Sequence, residues 1–120
     1  VHTASTLSLA ALEALVHFAI DTAPLDYVAL TIRVPDDAVE RVAANTLPAD
    51  WNAPVAPAAC QELGARWAAE ARSLGLAVPS AVVPSEYNIL LNPLHPDSAK
   101  VTLEKQEPFL FDSRLFPAGG

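Results

Sequence analysis

Residues 78–97 combine two apolar runs with a high density of small polar side chains, and chemistry is easiest to place in this part of the chain. The polar members of the segment are Ser80, Ser85, Glu86, Asn88, Asn92, His95 and Asp97. Prolines at positions 79, 84, 93 and 96 divide it. Because proline fixes φ and lacks an N–H donor, these four positions cannot all lie inside a helix or a central strand. The pattern therefore predicts strand, turn, strand, turn, with polar groups held at the bends.

Polar groups at rigid bends allow two interpretations. Loop residues held by regular structure are well placed to contact a ligand, which favours a binding or catalytic site. The alternative is a stiffened connection in which serines and asparagines hydrogen-bond only to the turn backbone, and we expect Asn92 and His95 to hold the second bend in this way. Ser80 lacks the Gly-x-Ser-x-Gly sequence of a nucleophile elbow, so a covalent serine mechanism is not favoured.

Glu13 is the second candidate for chemistry, and it lies in an apolar stretch near the start of the chain. With Ser5 as the candidate N-cap, helical periodicity predicts an amphipathic helix over residues 5–19. The apolar positions of this helix are Leu9, Leu12, Val16 and Ile20. Glu13 borders the apolar stripe, so partial desolvation would raise its pKa and suit it to proton transfer or to stabilising positive charge. The alternative is a boundary glutamate paired with His17 or with a lysine.

The elements that must position these residues follow from periodicity and from the distribution of proline and glycine. Alternating apolar residues over 27–34 predict a strand, and an apolar stripe over 58–74 followed by Gly75 predicts a helix with a glycine C-cap. Residues 38–44 fit either a short strand or one helical turn. The remaining predictions are a turn at 22–25, a loop at 45–57, and strands starting at 76, 101 and 109. The predicted fold class is α+β.

Composition is that of a globular domain. Hydrophobic residues make up 52% and charged residues 18% of the 120 positions, which is the opposite of a disordered chain, and this length suits one domain. Uninterrupted apolar runs fall well short of about 18 residues, and no basic segment leads into a cleavage site, so we expect no membrane span and a cytoplasmic protein.

Charge and cysteine usage argue against two further classes of function. The formal net charge is −7, with 14 acidic and 7 scattered basic residues, whereas a nucleic-acid-binding protein should carry a basic patch. Cys60 is the single cysteine, and Cys/His spacing typical of zinc sites is absent. We therefore expect neither a nucleic-acid partner nor a bound metal.

Four ordered blocks of the sequence resemble the RES domain family, which is named for an arginine, a glutamate and a serine. The most specific is Val-Pro-Ser-Ala-Val-Val-Pro at 78–84 followed by Glu-x-Asn-x-Leu-Leu-Asn-Pro-x-His-Pro-Asp at 86–97. The others are the segment at 3–17 with Leu-Ala-Ala-Leu-Glu-Ala-Leu-Val-His, Leu-Pro-Ala-Asp-Trp at 47–51, and Pro-Phe-Leu-Phe-Asp-Ser-Arg-Leu at 108–115. The resemblance thus covers nearly the whole chain.

This resemblance implies an ADP-ribosyltransferase-like mixed sheet with flanking helices, formed as a single domain over residues 1–120. RES proteins are toxins of bacterial toxin–antitoxin pairs and destroy NAD, so NAD is the implied substrate and no separate cofactor is expected. An Xre-type antitoxin with a helix-turn-helix is the implied partner, and a homodimer is a further expectation.

The resemblance also assigns candidate site residues. Cleavage of the bond between nicotinamide and ribose builds positive charge on the sugar, which a nearby carboxylate stabilises. Glu13 matches the family glutamate and Ser80 the family serine, whose hydroxyl would orient the ribose or the nicotinamide amide. His2, at a position where relatives commonly carry tyrosine, and Asn92 are the implied NAD-binding residues.

The sequence departs from the family pattern at the arginine, because none of its five arginines follows a glycine and precedes a tryptophan. Residue 1 is valine and the chain has no methionine, so the resemblance implies that an N-terminal segment carrying that arginine is missing here. Three hypotheses remain open. The chain is an NAD-degrading toxin acting by hydrolysis or phosphorolysis, a truncated and inactive relative that keeps the fold and an antitoxin-binding surface, or a small-ligand-binding domain unrelated to NAD.

Overall fold

A computed structural model describes residues 1–16, 26–53 and 58–115. The strands in these ranges are β1 (His2–Ala4), β2 (Asp26–Arg33), β3 (Val39–Arg41), β4 (Gly75–Pro79), β5 (Tyr87–Leu91) and β6 (Thr102–Leu110), and the helices are α1 (Leu7–Leu15) and α2 (Ala58–Glu70). Short 3-10 turns lie at Asp36–Ala38, Ala44–Thr46, Ser98–Lys100 and Ser113–Leu115. Helices and sheets together confirm the α+β class.

A four-stranded mixed sheet in the order β1-β5-β4-β3 holds the predicted site segment. Strands β1 and β4 flank β5 in antiparallel pairing, while β3 runs parallel to β4. Strand β4 is the most deeply buried, with Leu76 fully buried and Ala77 3% exposed. Proline ends β4 at Pro79, and β5 begins after a turn, so the predicted order of strand, turn, strand, turn over 78–97 is confirmed.

The second sheet is an antiparallel ribbon of β2 and β6. Two separate strands were expected at 101–103 and from 109, but a single strand joins them, so that prediction was wrong. Residues 104–107 lack apolar alternation and are held in the strand by pairing with β2, with one register shift between Thr31 and Ile32. The ring of Phe111, just beyond the strand, packs edge-on against Tyr27 at 5.5 Å between centroids and against Phe109 at 5.0 Å.

Helix α1 begins one residue later than expected, because Thr6 and not Ser5 is its N-cap. The Thr6 hydroxyl accepts a hydrogen bond from the Leu9 N–H at 3.1 Å, and Leu9 is 1% exposed. The end of the predicted helix at 17–19, the turn at 22–25 and the predicted partner His17 lie outside the described residues.

Helix α2 starts at the predicted residue and ends earlier than predicted. Ala71 takes a left-handed conformation with φ 50°, so the chain leaves the helix there, and the predicted C-cap Gly75 belongs to strand β4. A β-carbon on Gly75 would lie 3.1 Å from a methyl group of Val39, so glycine lets β3 and β4 approach closely. Residues 38–44 contain both structures that the pattern allowed, since β3 lies between two 3-10 turns.

None of the helices in the described ranges is long and apolar enough to cross a bilayer. The same ranges contain no group of three or more His, Cys, Asp or Glu side chains placed to hold a metal ion. Cys60 is a free, half-buried thiol in α2.

Candidate active site

Three elements bring Glu13, Ser80 and Asn88 into direct contact. The Ser80 hydroxyl donates to Glu13 Oε1 at 2.7 Å, and the Asn88 amide Nδ2 donates to the same oxygen at 2.7 Å. Glu13 comes from α1, Ser80 follows the last residue of β4, and Asn88 lies in β5. Residues 67 and 75 positions apart in sequence therefore form one hydrogen-bonded cluster.

The local sequence explains why these side chains converge. Leu9 anchors α1 in the core, and Glu13 is one turn further along on the same helix face. In the sheet, Asn88 pairs in register with Ala4 on one side and Val78 on the other. Alternation along β5 places Asn88 on the opposite sheet face from Tyr87 and Ile89. The site thus forms where α1 lies over the Asn88 face of the sheet.

The Ser80 hydroxyl is fully hydrogen-bonded and fully buried. It donates to Glu13, and it accepts from the backbone N–H groups of Val82 at 3.1 Å and Val83 at 3.0 Å. A hydroxyl offers one donor and two acceptor positions, so these three bonds use its whole capacity. The turn is closed further by Ser80 N–H to Glu86 O and Glu86 N–H to Val83 O, each 2.9 Å long. Ser80 therefore joins a rigid turn to the Glu13 carboxylate.

A cavity of about 250 Å³ lies against this cluster. Its lining residues are His2, Thr3, Ala4, Ala10, Glu13, Ala14 and Asn88. Glu13 is half-buried and His2 is exposed, while Ser80 is not part of the lining. The wall is small and apolar where Ala4, Ala10 and Ala14 face the cavity, so a flat ring could approach the carboxylate closely.

Among the described residues that line this cavity, Glu13 is the only acidic one, and none is a lysine or an arginine. Two of the described arginines contact residues outside this cavity. Arg41 lies 4.6 Å above the Tyr87 ring, and Arg72 pairs with Glu40 at 3.4 Å. The cavity is suited to a ligand that carries or develops positive charge near the carboxylate.

Asn92 lies outside the residues that line the cavity, although it is also buried. Its Nδ2 donates to the Ala68 carbonyl at 3.1 Å, and its Oδ1 accepts from the Leu94 N–H at 3.1 Å. The Asp97 N–H donates to His95 Nδ1 at 3.0 Å in the same bend. The expected bend-holding bonds of both residues are thus present. An NAD-binding role for Asn92 stays a prediction, and both polar atoms of its side chain already serve the fold.

Asn88 is a member of the site that the sequence analysis did not single out. It was noted only as one polar residue among seven in the segment. The signal that could have identified it is its position inside the apolar run of β5, where strand alternation turns it toward the same sheet face as Ala4 and Val78. A polar residue on a buried strand face requires a hydrogen-bonding partner, and Glu13 is that partner.

Comparison with known proteins identifies the family of the chain. The RES domain family model matches residues 1–112. "Toxin Res" of Photorhabdus laumondii is 42% identical over 119 residues, covering 98% of this chain and 76% of that protein. The "Prs ADP-ribosylating toxin" of a Sphingobium species is 36% identical over 118 residues, or 96% of this chain and 73% of that protein. "Toxin Res" of Yersinia enterocolitica is 37% identical over 117 residues, which cover 96% of this chain and 76% of that protein. With the family model matched over most of its length and relatives 36–42% identical along nearly the whole chain, this chain belongs to the RES domain family.

Proposed function

We propose that this chain is a toxin domain that cleaves the nicotinamide–ribose bond of NAD, with Glu13 as the carboxylate at the reacting centre. The observation that carries the proposal is the Glu13 carboxylate at the wall of a 250 Å³ cavity, held by two hydrogen-bond donors 2.7 Å from one of its oxygens. The choice of NAD as the substrate is supported by the resemblance to the RES family.

In the proposed step the bond from the ribose carbon to the pyridinium nitrogen breaks. Both bonding electrons leave with the nitrogen, so nicotinamide departs neutral and the sugar becomes an oxocarbenium ion. The Glu13 carboxylate stabilises that positive charge. Attack by water then gives ADP-ribose and a released proton, whereas attack by inorganic phosphate gives ADP-ribose 1″-phosphate.

Ser80 acts in this proposal through Glu13 and not on the substrate. Its hydroxyl has no remaining donor or acceptor position, so contact with NAD would require one of three hydrogen bonds to break. Two backbone N–H dipoles point at Ser80, which in turn donates to the carboxylate. This chain of donors polarises the hydroxyl and keeps the carboxylate fixed in orientation. His2, at the exposed side of the cavity, is proposed to contact the bound dinucleotide.

A second candidate function is transfer of the ADP-ribosyl group to a protein. The name of the Sphingobium relative, an ADP-ribosylating toxin, favours it. Both functions share the first bond cleavage and differ only in the acceptor, so the same Glu13 serves each. An inactive relative is less well supported, because the Glu13 carboxylate lies at a cavity wall with Ser80 and Asn88 donating to it.

The proposed partner is an Xre-type antitoxin, and the proposed compartment is the bacterial cytoplasm. A protein partner suits the apolar surface of the β2–β6 ribbon, on which Val28, Leu30 and Leu110 are 54%, 60% and 70% exposed. A homodimer remains a proposal of the same kind.

The test is NAD consumption by the purified protein, followed as nicotinamide release, with and without phosphate. The 120-residue chain and a form extended by the in-frame upstream coding sequence are assayed side by side. We expect release by the parent protein and a loss of about 100-fold or more in Glu13→Gln. Ser73→Ala is the control, since Ser73 bonds Trp67 Nε1 and the Gly75 carbonyl and does not line the cavity. Activity in Glu13→Gln equal to that of the parent would refute the proposal.

A further inference from the structure

Asn88 carries a buried polar atom that has no hydrogen-bond partner among the described residues. Its side chain is 5% exposed and its Oδ1 lacks any donor, whereas its Nδ2 donates to Glu13 at 2.7 Å. Leaving a buried acceptor unpaired destabilises a protein, and native structures keep few such atoms. The presence of an unpaired acceptor at Asn88 therefore needs a physical explanation.

The explanation is that the hydrogen-bond partner of Asn88 is a carboxylate, which can only accept. Rotating the amide by 180° would move Oδ1 to within hydrogen-bond distance of the Glu13 carboxylate, and two acceptors would then face each other without a proton between them. The carboxylate thus fixes the amide orientation, and the unpaired Oδ1 is its consequence. An apolar side chain at position 88 would avoid the unpaired atom, but Glu13 would lose the hydrogen bond from Asn88 Nδ2.

We infer that Asn88 is a positioning residue for the Glu13 carboxylate, and that with Ser80 it fixes the orientation of this carboxylate at the wall of the cavity. This inference rests on the proposed function of Glu13. The two donors arrive from different elements, Ser80 from the turn after β4 and Asn88 from β5. Because both bonds end on Oε1, they restrain the rotation of the carboxylate about its last torsion more than either bond alone.

A positioning role for Asn88 predicts effects on activity that a purely structural role would not. Asn88→Asp keeps the shape of the side chain but replaces the donor with a carboxylate that faces the Glu13 carboxylate. Ionised groups at this separation repel strongly. The double variant E13Q/N88D exchanges donor and acceptor, since the new amide at position 13 can donate to the new carboxylate at position 88. The contact would be restored there with reversed polarity, while the catalytic carboxylate would be absent.

The experiment measures Tm, kcat and KM for the parent, E13Q, N88D and E13Q/N88D in both forms of the chain described above. For N88D we expect kcat to fall about 100-fold with KM changed less than about threefold, and Tm to fall by roughly 5–10 °C. In E13Q/N88D we expect Tm to recover at least half of the N88D loss without recovery of kcat. The double-variant cycle cancels every other contact of Glu13, so a recovery reports this pair alone.

Three results would overturn the inference. N88D could keep its kcat within about threefold of the parent. It could raise KM by much more than about threefold, as expected for lost binding. The Tm losses of the two single variants could simply add. Absence of NAD cleavage by the parent would instead refute the proposed function, and with it the catalytic role of Asn88. Ser73→Ala again serves as the control, because we expect it to lower Tm without changing kcat per folded molecule.

Discussion

Replacing Ser80 by alanine removes one hydroxyl and three hydrogen bonds at once. The bond to the Glu13 carboxylate is 2.7 Å long, and the two bonds from the Val82 and Val83 N–H groups are 3.1 and 3.0 Å long. A bond to a charged group contributes about 1.5–3 kcal/mol and a neutral one about 1 kcal/mol. Val82 and Val83 are only half-buried, so water replaces part of their loss. We expect the free energy of unfolding to fall by about 2–4 kcal/mol.

The same substitution should reduce activity by a smaller factor than loss of Glu13 itself. The carboxylate remains in place and keeps its bond from Asn88, so its orientation is loosened but not lost. We expect Ser80→Ala to lower kcat by about 10–100-fold with little change in KM. This prediction differs from that for a serine that touches the substrate, whose removal should raise KM or abolish turnover.

Thermal unfolding and nicotinamide release, measured on the same samples, check both parts. A loss of about 2–4 kcal/mol corresponds to a Tm lower by roughly 8–15 °C in a domain of this size. Ser73→Ala is the matched control, because it also removes a hydroxyl with three neighbouring polar groups: the Trp67 indole, the Gly75 carbonyl and Glu40. It should lower Tm and leave kcat unchanged. An unchanged Tm in Ser80→Ala would refute the bonding scheme, and a large rise in KM would refute the positioning role.

Three further predictions concern other described residues. Asn92→Ala should lower the free energy of unfolding by about 2–3 kcal/mol, because the Ala68 carbonyl and the Leu94 N–H lose a buried partner. Urea unfolding measures this loss, and an unchanged unfolding midpoint would contradict the prediction. Hydrogen bonds from the Arg114 side chain, and to a smaller extent from its backbone N–H, hold the pKa of Asp112 below its ordinary value of 3.8. Arg114→Ala should therefore raise the pKa of Asp112 in an NMR titration. An unchanged titration midpoint would show that the pair does not form in solution. Since the pKa is lower in the folded state, the stability that this pair contributes is present above the ordinary value and is lost as pH falls through the folded value. His2→Ala should raise KM for NAD severalfold with kcat retained, as steady-state kinetics would show, whereas an unchanged KM would exclude His2 from the binding surface.

The parts of the fold that the sequence predicts are those with local causes. Proline alone determines where β4 must end, and alternation alone places a strand over most of β2. Helical periodicity predicts α1 with Leu9 on its buried side, but the predicted stripe positions Leu12 and Val16 are 41% and 58% exposed. The family resemblance then indicated Ser80 and Glu13 as a pair, although 67 residues separate them.

The parts that the sequence does not predict depend on partners distant in the chain. Residues 104–107 form strand only because β2 lies beside them. Helix α2 ends at Glu70 because the chain turns at Ala71 toward β4, while an apolar stripe that runs on to Leu74 indicates a longer helix. Leu74 is buried, as its apolar character suggests, but in the connection to β4 and not in the helix. Asn88 was missed for the same reason, since its importance depends on α1 lying over β5.

We propose that Glu13 stabilises the oxocarbenium ion formed when the nicotinamide–ribose bond of NAD breaks, with Ser80 and Asn88 holding its carboxylate in place. The most direct measurement is the release of nicotinamide from NAD by the parent protein and by Glu13→Gln, a variant of nearly the same shape that lacks the negative charge. We expect release by the parent, at least about 100-fold less from the variant, and an unchanged rate per folded molecule in Ser73→Ala. Equal release by the parent and Glu13→Gln would contradict it.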